Sequence, residues 1–238
     1  MAVAQYIITA RIVYRRFGMV YMTREMALEA IGNMQSFHND LADVFEKNDM
    51  DFQTDLGRRN IIMSHAQEKY FTQALQSEYD GVSNDGRTGQ PDIVISNDSI
   101  TAEIECKLTT RHKSGAISFQ SDYETLVKKG SLDYLYVVAS ADFKSFATFY
   151  FKNLTVDDFR PLSPGARGKV AMLKHKGFKK CTVLTGKYES INDKNIRKLN
   201  AVLEDKSLPE YKRKKAMKSL SYWTETPEKY TILLEGVE

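Results

Sequence analysis

The sequence predicts an α/β domain, a mixed β-sheet core flanked by helices. Three observations carry that prediction. Between Thr23 and Tyr79 apolar residues recur at intervals of three and four, the helical period. Beyond Gly81 the period changes to two or to short unbroken runs. Leu132 to Ala139 is almost wholly apolar, as expected of a strand in the middle of a sheet with both faces covered.

The elements follow in order. Thr23 caps a helix whose apolar positions run Met26, Ala27, Ala30, Ile31, Met34, Phe37, Leu41, Val44 and Phe45, fading before Asn48. Glu25 and Glu29 suit its positive end. The stripe reads as core, with a dimer surface as the alternative. Ser64 with Gln67 three residues on makes a capping box for a second helix ending near Tyr79, with Asn60 as another possible start. Asp80-Gly81 and Asn84-Asp85-Gly86 are turn signals. Strands are expected over Asp92–Ser96 and Ile100–Leu108, then a helix over Ser118–Lys128 ending at Gly130. Further strands are expected over Leu132–Ala139 and Phe146–Phe151. This order, helix, strands, helix, strand, strand, suits a mixed sheet with helices against it. The more polar C-terminal third offers a strand at Cys181–Leu184, helices over Asp193–Leu203 and Leu208–Leu220, and a closing strand at Thr231–Leu234.

The chain of 238 residues suffices for one domain with a full core, and 42% hydrophobic residues argue against disorder. It divides into a helical N-terminal region (1–59), a central core (60–152) and a basic region (153–238). No run reaches the roughly 18 apolar residues of a membrane helix. Arg11, Arg15 and Arg16 interrupt the N-terminal apolar patches, so no signal peptide is read and a cytoplasmic chain is expected. Cys106 and Cys181 are expected as free thiols, and no zinc-ligand spacing occurs.

Chemistry concentrates at Pro91-Asp92 and Glu105-Cys106-Lys107. Side chains alternate along a strand, so Thr101, Glu103, Glu105 and Lys107 share one face and Ala102, Ile104, Cys106 and Leu108 the other. Three charges on one face of an interior strand are costly unless they serve one another or a ligand. Two carboxylates suit Mg²⁺, a hard cation that takes one or two acids plus substrate phosphate. Asp92 and Glu105 would hold it from neighbouring strands, with the backbone carbonyl of Cys106 as a further ligand. Lys107 would orient the attacking water and offset phosphate charge. A free lysine is a poor base near neutral pH, so a basic role would require a depressed pKa. Glu103 either assists or accepts from a nearby cation. Pro91 suits the first position of a strand.

This motif, with twelve residues between Asp92 and Glu105, resembles that of the PD-(D/E)XK nuclease superfamily and, within it, the type II restriction endonucleases. The resemblance spans residues 60–152. It implies a restriction-endonuclease-like fold, Mg²⁺ dependence, cleavage of double-stranded DNA leaving 5′-phosphates, and a homodimer on a palindromic site. It also implies an acid from the preceding helix, a position matched by Glu68 and less well by Glu78. A repair or junction-resolving nuclease of the same superfamily, or a non-catalytic DNA-binding protein, are the alternatives.

DNA contact needs cations in number. Arg111 and Lys113 follow the catalytic strand, and Arg87 lies in the glycine-rich loop before it. Arg167, Lys169, Lys174, Lys176, Lys179 and Lys180 fall in a segment read as loops and a hairpin able to enter a groove. Lys212, Arg213 and Lys215 sit on a helix placed to touch phosphates, and Arg58 and Arg59 are further phosphate candidates. The bland reading of each cluster is a solvated charged face.

Overall fold

A computed structural model describes residues 20–85, 87, 89–111, 117–165 and 168–236. Helix α1 (Arg24–Glu46) begins as expected at Thr23, whose Oγ1 accepts the Met26 N–H at 3.2 Å. Its stripe Met26, Ala27, Ala30, Ile31 and Met34 is buried in the core, so it is not available as a dimer surface. Helix α2 (Leu56–Gln76) starts well before Ser64, because Asp55 takes the cap and accepts the Arg58 N–H at 3.1 Å. Ser64 is mid-helix and its hydroxyl donates to the Ile61 carbonyl. The earlier start brings Arg59 inside, where it is 1% exposed. Its guanidinium donates to the Ala141 carbonyl and to Thr110 Oγ1 and lies against the Phe143 ring. Arg59 is therefore a core residue rather than a phosphate contact, and Arg58 is turned to Asp55.

The central sheet runs in the order β1 (Val82–Asn84), β2 (Ile93–Ser96), β3 (Thr101–Thr110), β5 (Leu132–Ala139), β6 (Ser145–Leu154) and β11 (Glu235–Gly236), with β8 (Cys181–Thr185) also on β6. Strands β1 (Val82–Asn84), β2 (Ile93–Ser96) and β3 (Thr101–Thr110) form an antiparallel run. The first of these was hidden in the sequence under turn signals. Gly81 makes its start possible: φ is +70°, and a Cβ there would stand 2.1 Å from the Ser96 carbonyl oxygen. Between β3 and β5 the chain makes β4 (Gln120–Asp122) and α3 (Tyr123–Lys129). The single helix expected over Ser118–Lys128 is thus replaced by a short strand and a helix capped by Asp122, which accepts the Thr125 N–H.

Strand β5 (Leu132–Ala139) is buried along its whole length, parallel to β3 and antiparallel to β6 (Ser145–Leu154). Beyond β6 come β7 (Lys169–Ala171), the one-turn α4 (Lys174–Gly177), β8 (Cys181–Thr185) and β9 (Lys187–Ser190). Then follow α5 (Ile191–Glu204), α6 (Glu210–Glu225), β10 (Tyr230–Leu233) and β11 (Glu235–Gly236). The expected closing strand, β10, pairs with β9 instead of the main sheet, and β11 joins β6. Strands β4 and β7 form a second ribbon.

The sheet has two covered faces. Ile93, Ile104, Cys106, Leu135, Val137 and Tyr150 pack with α1 and α2. Tyr134, Tyr136, Phe149 and Phe151 face Phe119, Val170 and Phe178 of the ribbon side. The fold is therefore mixed α/β with a mixed central sheet flanked by helices. Both cysteines are free thiols, Cys106 buried and Cys181 partly so. Among the described residues no helix is long and apolar enough to cross a membrane.

His38 closes the first core. It is 1% exposed, stacked on Phe143 at 4.6 Å, with Nε2 unpaired among the described residues. Burial lowers its pKa below the usual 6.5. The folded chain holds the neutral ring, so stability is lost as pH falls through the unfolded-state value. The loss has a ceiling of about 1.4 kcal/mol per pH unit. His38→Phe is expected to flatten the fall in Tm between pH 7.5 and pH 5.5. An unchanged slope would show that His38 does not titrate on unfolding.

Candidate active site

Asp92 sits one residue ahead of β2, and continuing the β2–β3 register places it opposite Glu105. Pro91, just before it, has no N–H to give to a ladder. With β2 finished, the Cys106 N–H has no strand partner on that side. The Asp92 carboxylate takes it, Oδ2 to N, at 2.7 Å. The N–H and C=O of a strand residue point to the same edge. The Cys106 carbonyl therefore faces the Asp92 side too, beyond the end of β2.

Glu105 is 8% exposed. Its Oε1 accepts from Lys107 Nζ at 2.5 Å, while Oε2 is buried without a partner among the described residues. Burial raises the pKa of Asp92, against the pull of Lys107 and the Cys106 N–H. Burial raises Glu105 as well, and Asp92 adds to the rise. For Lys107 burial works downward, but Glu105 and Asp92 outweigh it and the net shift is upward. Lys107 is held as the ammonium ion, which favours orienting and electrostatic work over proton abstraction.

Glu68, on α2, is largely buried and lies 4.0 Å from His65 Nδ1. Its charge contributes to the raised pKa of Asp92, so it belongs to the electrostatic surroundings of the pair. Glu78 is exposed past the end of α2. Glu103 accepts from Lys129 Nζ at 2.7 Å, resolving its two possible roles in favour of an ion pair. Three neighbours escaped the sequence reading. Gln67, read as part of a cap, is fully buried and its Nε2 donates to the Leu135 carbonyl at 3.0 Å. Tyr134 lies beside Glu105 in the β3–β5 register, its hydroxyl 2.6 Å from Ser121 Oγ. Asp122 adds to the raised pKa of Glu105. An alternating polar signal marks none of these positions, since each sits in a run read as apolar or helical.

The residues fit a small hard cation. Two desolvated carboxylates face each other, one carries an orphaned buried oxygen, and a backbone carbonyl faces the same side. Among the described residues no third His, Cys, Asp or Glu completes a metal-binding cluster. Two acids are the usual protein share for Mg²⁺, which keeps several waters.

The basic candidates divide. Arg111 extends the β3 ladder through its N–H to Ala139 and continues the Lys107 face about 13 Å further along. Its Nε is buried and unpaired among the described residues. Arg87 is turned onto Asp85. In place of the expected loops and hairpin, the stretch from Lys169 to Ser190 forms a strand, helical turns and two strands. Within it Lys180 pairs with buried Asp158 at 2.7 Å, Lys176 donates to the Asp157 carbonyl, and Lys174 lies over the Phe119 ring. Lys180 and Lys176 are thus claimed by the fold, while Lys169 and Lys179 are exposed. On α6 Lys212 and Lys215 are exposed and Arg213 is half-buried. Lys113 and Arg167 lie outside the described residues.

No family model matches the chain, and no curated protein matches it.

Proposed function

We propose that the chain is a magnesium-dependent endonuclease hydrolysing phosphodiester bonds of double-stranded DNA, built on a restriction-endonuclease-like fold. The carrying observation is Asp92 opposite Glu105, with Lys107 against Glu105 and Glu105 Oε2 buried and unsatisfied. Such an arrangement is expensive to fold and has a ready use only when a cation and a phosphate arrive.

Asp92, Glu105 and the Cys106 carbonyl hold Mg²⁺ in this reading. When bound, the ion supplies Lewis acidity to the phosphoryl group and lowers the pKa of water. Lys107 donates hydrogen bonds to the attacking water and to a non-bridging phosphate oxygen, fixing the line of attack. Its ammonium also offsets charge gathering on the phosphorus oxygens. Glu68 raises the local negative charge and so favours cation capture. Attack of that water on phosphorus would break the P–O3′ bond, leaving a 5′-phosphate and a 3′-hydroxyl, with the water's proton released to solvent and the departing oxygen protonated from it. Arg111 grips a flanking phosphate, and Lys169, Lys179, Lys212 and Lys215 extend the cationic surface. Cleavage at one short sequence by a homodimer is the type II restriction form of this reading.

Purified protein incubated with a long duplex of known sequence is expected to give discrete fragments with Mg²⁺. EDTA or the Lys107→Ala variant should abolish them. Cutting confined to branched or mismatched duplexes would transfer the assignment to a repair or junction-resolving nuclease. Binding to all substrates without cleavage would end the catalytic reading.

A further inference from the structure

A second cleft lies on the ribbon side of the sheet, with a volume of about 600 Å³. That is within the range of roughly 300–1,000 Å³ typical of small-molecule sites. Ile117, Phe119 and Met172 line it with apolar surface, and Arg160, Lys174 and Lys229 bring three cations. Among the described residues none of the three cations has a carboxylate within 4 Å. The one acid in the lining, Glu228, is taken by the Tyr230 hydroxyl.

Lys174 is the telling residue. Its ammonium stands 5.8 Å from the Phe119 ring centre, with no hydrogen-bond acceptor among the described residues. Burial depresses its pKa, the mark of a charge removed from water without compensation. An anion entering the cleft would supply that compensation. The apolar lining and the half-buried Tyr230 ring suit a planar base better than a bare inorganic anion.

We propose that this cleft binds a single phosphorylated nucleoside, with its phosphate among Lys174, Arg160 and Lys229 and its base along the apolar lining near Tyr230. The choice of a nucleotide over other amphipathic anions rests on the nuclease reading. Phe119 is three residues from Asp122, or about 10 Å along the β4 ribbon. Asp122 in turn acts electrostatically on Glu105. A cleft on the same ribbon as Asp122 is placed to hold a nucleotide of the strand being cut.

Binding is tested in EDTA, where cleavage plays no part. The full chain, with methyl-labelled methionines, is titrated with deoxynucleoside 5′-monophosphates, a short oligonucleotide and inorganic phosphate. Calorimetry and the Met172 methyl resonance serve as readouts. Nucleotide is expected to shift the Met172 methyl and to bind tighter than inorganic phosphate. Lys174→Met should weaken binding about tenfold, the size of one charge-assisted contact. Arg160→Gln, at an exposed side chain, should weaken it severalfold, and Lys47→Met, just past the end of α1, should change nothing. A Met172 shift with the oligonucleotide alone identifies a strand nucleotide, and one with the monophosphate alone identifies a free nucleotide. Either supports the cleft. No Met172 shift with any nucleotide, or full affinity in a folded Lys174→Met variant, would overturn it. So would equal affinity for inorganic phosphate. Nucleotide binding in a protein that never cuts DNA would retire the nuclease reading and leave the cleft standing. Cutting without Lys174-dependent binding would do the reverse.

Discussion

On the proposed nuclease reading, Glu105→Gln is expected to reduce Mg²⁺-dependent DNA cleavage by roughly 10³-fold, the upper end for loss of one preorganised electrostatic group. The fold should not suffer. Glu105 and Asp92 both have raised pKa values in the folded chain, so each favours its protonated form there. Stability from such groups is present at acid pH and is lost as pH rises through the folded pKa. At neutral pH their ionisation works against folding, but Glu105 also forms the buried pair that raises Lys107, so a neutral amide at position 105 relieves the first cost and gives up the second gain. Gln retains an oxygen to accept from Lys107. The variant should melt within about a few degrees of the parent, the two effects opposing each other. Mg²⁺ should raise the Tm of the parent by mass action and leave the variant unmoved. Calorimetry with and without Mg²⁺, beside a cleavage assay, reads all three quantities. Retained cleavage within a few-fold would make Glu105 a structural acid paired with Lys107 and nothing more.

Phe119→Ala is expected to be the most destabilising single change on the ribbon side, costing about 3–5 kcal/mol. Phe119 is 1% exposed and makes edge contacts with Tyr136, Phe149, Phe151 and Phe178. Its carbonyl also accepts the Met172 N–H at 2.7 Å, so the same residue ties the β4–β7 ribbon together. Truncation leaves a cavity among four rings, three of them held by β5 and β6 of the sheet, that cannot collapse into it. Denaturant unfolding would show the loss as a lower midpoint with an unchanged slope. A cost under about 1 kcal/mol would mean the ring cluster repacks freely, against the usual behaviour of close-packed cores.

The central strand and the acid pair were legible because each rests on local pattern. Eight consecutive buried positions in β5 appear as eight residues with one charge among them. Glu105 and Lys107 appear as charges on alternate residues between Ile104, Cys106 and Leu108. The β4 strand was not legible. Gln120, Ser121 and Asp122 are too few to display a period, and their partner strand, β7, lies some fifty residues away in sequence. The start of α2 was missed because Arg58 and Arg59 look like surface residues until Phe143 and Ala141 arrive to cover Arg59. Lys176 and Lys180 resemble DNA contacts for the same reason: their partners at Asp157 and Asp158 belong to a turn remote in the chain. Charge type is local information, while the partner that claims a charge is set by tertiary packing.

Because β3 and β5 run parallel, the hairpin carrying Asp92 and Glu105 cannot be finished by its neighbours in sequence. Ile104 must find Asp133, and Glu105 must find Tyr134, across a connection that contains both β4 and α3. Non-local pairings of this kind are paid for in loop entropy before they return any contact, and they form late. Early in folding the two carboxylates sit on a hydrated hairpin with ordinary acidity and no reason to hold a cation tightly. Their desolvation arrives only with β5 and the ribbon that follows it. A ribosome-bound fragment ending before Leu132 would carry every residue of the motif without the burial that raises the pKa of its two acids.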